Sequence, residues 1–284
     1  GGTYEAHSTE WDKIFDTFET KKAFEVDAQL EGFGLAQQKE EGAEVAFDSV
    51  TQGFTPKYPA LTYAKGFIVT EEAMEDELYD QFNGKARRLA FSMQQTKENV
   101  GANVLNRGFN SSFVMTDGDG SELFATDHVL GPSGGTFSNK LTVDADLSEA
   151  SLEDLLIQIG QAVDPRGLKI SLQATRLIIP VALQFEAQRI LGSVLQNDTG
   201  NNATNAVRDM NAIRDGFSTN HYLTDSDAWF LKTNSPDGMK YFSRRAVSFD
   251  DDNAFTSGNM RMKADERYSF GWTDPRGIYG SAGA

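Results

Sequence analysis

The chain has 284 residues, 42 of them Asp or Glu and 26 Lys or Arg, for a formal net charge of −16. That balance argues against gripping nucleic acid through a neutralising basic face, which needs clustered cations, and it favours solubility. Cysteine is absent, so disulfides and thiolate metal sites are excluded, and the length suffices for one large domain or two ordinary ones.

No apolar run approaches the roughly 20 residues that span a bilayer, and Gly1 to Glu10 carries no charged-then-apolar signal, so a soluble protein is expected. The chain opens Gly-Gly-Thr without methionine, which leaves a processed terminus and further upstream residues both open. Residues 1–36 read as an arm with one short helix around Glu10 to Glu19, where Ile14, Phe15 and Phe18 supply apolar patches. Ala43 to Val69 predicts a β-hairpin. Val45 and Phe47 alternate with polar residues, Gly53, Pro56 and Pro59 make a turn-rich middle, and the strand returns through Leu61 and Tyr63. A two-stranded ribbon is marginal in water, so a surface for it to lie on is implied.

From Glu71 to Arg107 there is no proline, and Met74, Leu78, Phe82, Leu89, Met93, Val100 and Val104 recur along one helical face. This predicts a single amphipathic helix of roughly 55 Å, long enough to act as a spine. Thr70 is its expected N-cap, with Glu71 and Glu72 in the first turn but Ala73 in place of a capping-box acid. Arg107 and Gly108 mark its end, Gly108 in the left-handed conformation, while Gly84 and Gly101 predict a bend or break.

Phe109 to Leu141 is loop-rich. Ser151 to Gly160 predicts a helix with Leu152, Leu155, Leu156 and Ile159 on one side, and Arg176 to Val181 an apolar strand leading through Pro180 into a helix over Ala182 to Leu191. Gly192 to Thr204 is a polar loop. Strands are expected over Trp229 to Thr233, Met239 to Phe249 and Arg261 to Trp272, separated by the turns 235–238 and Asp250 to Asn253. The order indicates an α+β fold with a mixed sheet.

Chemistry is scarce in this chain. His7, His128 and His221 have no metal-ligand spacing around them. Asp117-Gly118-Asp119-Gly120 opens like a calcium loop, but Ser121, Glu122 and His128 stand where that loop needs an acid or amide, a glycine and a glutamate, so an Asp-Gly turn is the better reading. Gly131 to Gly135 formally fits the Gly-x-Ser-x-Gly elbow around Ser133, yet its glycines and Pro132 oppose the helix such an elbow requires. Asn110, Asn197 and Asn202 head Asn-x-Ser/Thr triplets that read as chance matches without a secretory signal. No catalytic residue, metal site or cofactor is expected.

The order of hairpin, spine helix, Gly-rich loop and α/β body resembles the major capsid proteins of tailed bacteriophages, the Hong Kong 97 type fold, and most the Mu-like major head subunit group. The stretches that carry the resemblance are Leu123-Phe124-Ala125-Thr126-Asp127-His128 with Gly134-Gly135-Thr136-Phe137-Ser138-Asn139, and Arg267-Tyr268-Ser269-Phe270-Gly271-Trp272 with Asp274-Pro275-Arg276-Gly277. The resemblance implies an N-terminal arm over 1–36, an extended loop over 37–70 and a peripheral domain over 71–164 with its spine helix at 71–107. It implies an axial domain over 165–240 and return strands over 241–284. It further implies a structural protein, not an enzyme, that self-assembles into hexamers and pentamers of an icosahedral shell around double-stranded DNA, without sequence-specific binding or membrane contact. Portal, scaffold and decoration proteins are the implied partners, and the virion capsid, assembled in the host cytoplasm, is the implied location. The extended-loop contacts would then be Val45, Phe47, Phe54, Lys57, Tyr58, Leu61 and Tyr63, with Met74, Leu78, Phe82, Leu89 and Met93 packing the spine helix. Lys57 and Lys65 are candidates for the lysine–asparagine crosslink that some such phages make, but no motif marks a partner asparagine, and a non-crosslinked shell is expected. Two alternatives stand beside this reading: an encapsulin-like compartment shell, which the helix at Glu10 to Glu19 would suit, and an acidic α/β hydrolase using Ser133 or an Asp/Glu pair.

Overall fold

The computed structural model describes residues 8–30, 32–76, 79–131, 134–196, 203–253 and 258–284; the side chains of Met74 and of residues 79–83 also lie outside the described set. In chain order come β1 (Asp16–Glu19), β2 (Phe24–Val26), β3 (Lys57–Pro59) and β4 (Leu61–Val69), then α1 (Glu71–Glu75) and α2 (Tyr79–Asn106). The hairpin of β5 (His128–Val129) and β6 (Thr136–Phe137) precedes α3 (Glu149–Gly160), β7 (Ala174–Pro180), α4 (Gln184–Gly192) and α5 (Ala206–Asp209). The chain closes with β8 (Phe217–Asn220), β9 (Trp229–Thr233), β10 (Met239–Asn253), β11 (Met260–Trp272) and β12 (Ile278–Ser281). Two compact units result. The first takes the chain up to Glu25 with Tyr58–Val104 and Lys240–Phe270, the second Val26–Lys57 with Leu105–Met239 and Gly271–Ala284.

The first unit is built on a sheet in the order β1-β10-β11-β4. β1 runs parallel to β10 and β11 antiparallel to β4, with Tyr268 opposite Leu61 and Met260 opposite Val69. On this sheet lies α2, whose Leu89 and Met93 are buried with Ala264 among Tyr63, Phe67, Phe249 and Met262. The helical period thus located the packing face at these two positions, while Leu78 and the side chains of Met74 and Phe82 are outside the described residues.

The expected single spine is interrupted. Thr70 caps α1 as expected, its hydroxyl accepting the Ala73 amide at 3.4 Å, but α1 stops at Glu75. Here Glu71 and Glu75, then Glu72 and Asp76, stand four residues apart, the spacing at which like charges destabilise a helix. Helix α2 then continues through both Gly84 and Gly101, and at Gly101 the missing side chain matters because a Cβ would come within 3.1 Å of Trp11. The helix ends at Asn106, before Arg107. Gly108 is not in the left-handed region; a Cβ there would meet the Phe124 ring at 2.6 Å, so it serves close approach rather than a left-handed cap.

The predicted helix over Glu10 to Glu19 is also corrected. Only Trp11–Lys13 form a 3-10 turn, and Asp16–Glu19 are strand β1, recruited by the parallel partner Lys240 to Ser243 that local pattern cannot reveal. Phe15 and Trp11 pack edge-on to Phe270, at 4.8 and 5.7 Å between ring centres. Likewise Asp250 to Asn253 do not turn but extend β10, where Lys263 on the neighbouring β11 reaches Asp250 at 3.5 Å.

The second unit has the sheet order β12-β9-β7-β8, with β7 parallel to β8 and antiparallel to β9. Leu152, Leu155 and Ile159 of α3 pack on Leu177 and Ile179 of β7, Trp229 and Leu231 of β9, and Tyr279 of β12. Ser148 and Ser151 cap α3 reciprocally. The ribbon expected over 43–69 is paired differently. Residues 24–30 run against 52–59: β2 pairs with β3, Asp27 donates to the Pro56 carbonyl at 3.1 Å, Gln29 to that of Phe54 at 2.9 Å, and Leu30 bridges Gln52. Val45 and Phe47 form no strand, and Leu61 and Tyr63 pair with β11 instead. Three residues of alternation are too few to hold a ladder when a longer strand competes for the same partner.

Candidate functional site

Between Leu30 and Gln52 the chain leaves its paired base as a long loop that turns at Gly42, φ 82°. Phe33, Leu35, Val45 and Val50 are exposed there, and Phe47 is 97% accessible. Apolar side chains displayed in this number on one irregular segment mark a surface that binds something.

The loop is pinned at its neck. Asp48 accepts the Gly34 amide at 2.8 Å and Arg166 at 2.5 Å, and Arg166 also donates to the Ser49 carbonyl at 2.8 Å. The Gly34 amide and then the Arg166 guanidinium hold the Asp48 carboxyl below the usual carboxylate range. At the base, Lys57 reaches Asp117 at 2.5 Å while its amide donates to Thr116 at 2.9 Å. Asp117 (φ 59°) and Gly120 (φ 85°) make the expected turn, and Asp119 is taken by His128 rather than left for a cation. Among the described residues no three His, Asp or Glu are placed to hold a metal ion, and Ser133 is outside them.

The residues expected to make contacts therefore fall into different settings. Val45, Phe47 and Leu61 are exposed, Phe54, Lys57 and Tyr63 half-buried. Tyr58 is buried in its own chain, edge-on to Phe242 at 4.8 Å, and Tyr63 stacks on Tyr268 at 4.6 Å.

The two stretches that carried the family resemblance meet around Asn139. Its amide nitrogen donates to the carbonyls of Leu123 at 2.6 Å and of Pro275 and Ile278 at 3.1 Å, and its oxygen accepts the Ala125 amide at 3.0 Å. Beside it the His128 ring faces Asp119 at 2.5 Å and the Leu123 carbonyl at 3.2 Å, while Arg276 clamps Asp274 at 2.8 Å. Every one of these polar groups is buried or nearly so. This is a structural knot rather than a reaction centre, because its donors and acceptors are matched to backbone and to each other. Sequence reading quoted Asn139 without a role. A second feature it missed is Lys97, buried on α2 against Glu266 at 2.8 Å, with the rings of Trp11, Tyr241 and Tyr268 within 5.8 Å of its amine.

A family model described as phage capsid protein matches residues 54–281. The chain belongs to the phage capsid protein family. No curated protein matches this capsid protein in sequence. Among solved structures it is similar to the mature capsid of bacteriophage PhiM1 (TM-score 0.58, 9% identity, 96% of this chain and 86% of that one). It is similar also to the capsid of cyanophage P-SCSP1u (0.58, 8%, 95% and 86%) and to a virus-like particle from Pyrococcus furiosus (0.55, 14%, 99% and 94%). At these identities the structural likenesses show the fold, and the family match assigns a structural role in a capsid shell. The capsid protein's exposed loop and matched knot are thus features of a shell subunit.

Proposed function

We propose that this capsid protein is a major head subunit of the Hong Kong 97 type, of the Mu-like group, which builds hexamers and pentamers of an icosahedral shell around double-stranded DNA by laying the loop of residues 30–52 on a neighbouring copy. The observation that carries this is the display of Phe33, Leu35, Val45, Phe47 and Val50 on a segment whose neck is pinned by Asp48 and Arg166. An apolar arm held at its root and bare along its length gains most by burial on a second copy, and repeating that heterologous contact around an axis closes a ring. Val45, Phe47 and Leu61 are the proposed contacts; Phe54 and Lys57 support the loop's base, while Tyr63 packs within the first unit. Residues 165–240, containing β7, β8, β9 and α4, are the proposed axial domain, which β12 joins by pairing with β9; the spine helix and the return strands β10 and β11 are assigned to the peripheral one.

In this reading no residue turns over a substrate, and DNA, portal, scaffold and decoration proteins are met through surfaces rather than sites, during assembly in the host cytoplasm. Of the short N-terminal helix that would have suited a cellular compartment, Trp11–Lys13 keep one 3-10 turn and Asp16–Glu19 are strand β1. The test removes residues 36–47 from the full chain. The subunit should keep its melting transition while shells disappear from electron micrographs; intact shells would overturn the proposal.

A further inference from the structure

A groove of about 220 Å³ opens between β4 and α2 in the first unit. Lys65, Lys85 and Arg88 line its walls, Phe67 and Leu89 its floor, and the Lys65 amine donates to Ser92 at 3.1 Å. Among the described residues no carboxylate lies within ion-pair distance of Lys65, Lys85 or Arg88. From Lys85 to Lys97 helix α2 carries four basic residues, Lys85, Arg87, Arg88 and Lys97, and no acid, in a chain whose net charge is −16. Three like charges gathered in one groove repel one another, and an anionic occupant removes that cost. The half-buried Phe67 adds a second requirement, because a solvated anion alone would leave the exposed part of its ring uncovered.

One segment of the chain has both properties. Residues 40–47 carry Glu40, Glu41 and Glu44 without a base, followed by Val45 and the fully displayed Phe47. Asp48 is already held by Arg166, so the three glutamates are the ones left to meet cations elsewhere. Extended, Glu44 to Phe47 spans about 10 Å, and Lys85 and Arg88 stand one helical turn, about 5 Å, apart, so one acid and one aromatic ring can enter together. We infer that the groove of Lys65, Lys85 and Arg88 receives the acidic, aromatic loop tip Glu40 to Phe47 of a second copy of this chain. This rests on the reading that the loop docks on a neighbour, and it names where.

Reciprocal charge exchange tests it in the full chain. Lys65→Glu, Lys85→Glu and Arg88→Glu together should cut shell yield at least about tenfold, measured by sedimentation and electron microscopy, with the subunit's melting transition kept. Glu40→Lys, Glu41→Lys and Glu44→Lys together should do the same. Combining all six should restore yield to within about threefold of the parent. If the groove triple unfolds the subunit, the milder Lys85→Ser with Arg88→Ser is used, and its assembly should lose most of the parent's sensitivity to salt between about 0.05 and 0.5 M. Normal shells from the groove variants would overturn the inference, and removal of residues 36–47 would still decide separately whether the loop docks at all. Normal shells that retain less DNA would overturn it in favour of a nucleic-acid contact. A six-fold variant that folds but does not assemble would overturn it as well.

Discussion

The loop of residues 32–50 and the knot around Asn139 invert the ordinary distribution of polarity in opposite senses. In the loop, Phe33, Leu35, Val45 and Phe47 face water; in the knot, Asn139, His128, Asp274 and Arg276 are buried. Each inversion is costly unless a partner is supplied. The knot finds its partners within the chain, in four backbone groups and two carboxylates. The loop does not, and a subunit that leaves so much apolar surface unmatched is one whose lowest free energy lies in an assembly. Internal polar satisfaction fixes the shape of the building block, and external apolar surface fixes what it is built into.

The strongest way to break this comparison is to truncate one aromatic ring in each region. Phe124 is buried between Phe109 and Phe230, at 4.7 and 5.1 Å between ring centres, so Phe124→Ala should lower subunit stability by about 4 kcal/mol. Phe47→Ala should change it by less than about 0.5 kcal/mol while reducing shell yield. Denaturant titration of dissociated subunits measures both, and a large loss from Phe47→Ala would mean that the loop packs within its own chain.

A smaller effect is expected from the polar side of the comparison. Asn139→Leu preserves volume but strands the Ala125 amide and takes a donor from three carbonyls, at a cost of about 3 kcal/mol. Asn139→Asp should rescue the Ala125 contact and none of the others. A Leu variant as stable as the parent would show that the knot does not fix the subunit.

What was legible in the sequence follows the same division. Periodicity marked Leu89 and Met93 because one helical face repeats within a few residues, and Thr70 announced its own cap. The β9 and β11 spans were readable from composition and turn residues alone, within a residue at each end. Strand β1 was not, since Asp16–Glu19 become a strand only through Lys240 to Ser243, more than two hundred residues away. The alternation at Val45 and Phe47 suits a ladder as well as an exposed loop, because exposed apolar residues and strand residues look alike until the partner is known. Asn139 illustrates the remaining gap: it stood inside a recognised stretch, but its four contacts come from residues 14 to 139 positions away.

The least of the expected effects concerns a buried acid in the first unit. Glu98 on α2 accepts the Glu10 and Trp11 amides, each at 3.0 Å, and so ties the 3-10 turn of the N-terminal segment to the spine. Burial pushes its carboxyl up to about 6 from the usual 4.5, against the pull of those two amides and with help from Glu10 and Asp12. Because the folded value lies above the unfolded one, the folded state binds the proton more tightly. This group's contribution to stability is therefore complete below about 4.5 and is lost as pH rises through about 6. The loss is on the order of 1 kcal/mol once solvent screening is allowed for. Glu98→Gln keeps an acceptor for one of the two amides and removes the titration, so its stability relative to the parent should improve between pH 4.5 and 6 and stay constant above, as read from denaturant midpoints at each pH. An unchanged difference across that window would mean that the Glu98 carboxyl titrates as it does in the unfolded chain, and that the pairing of β1 with β10 and the packing of Trp11 and Phe15 hold the N-terminal segment without a pH-dependent contribution from it.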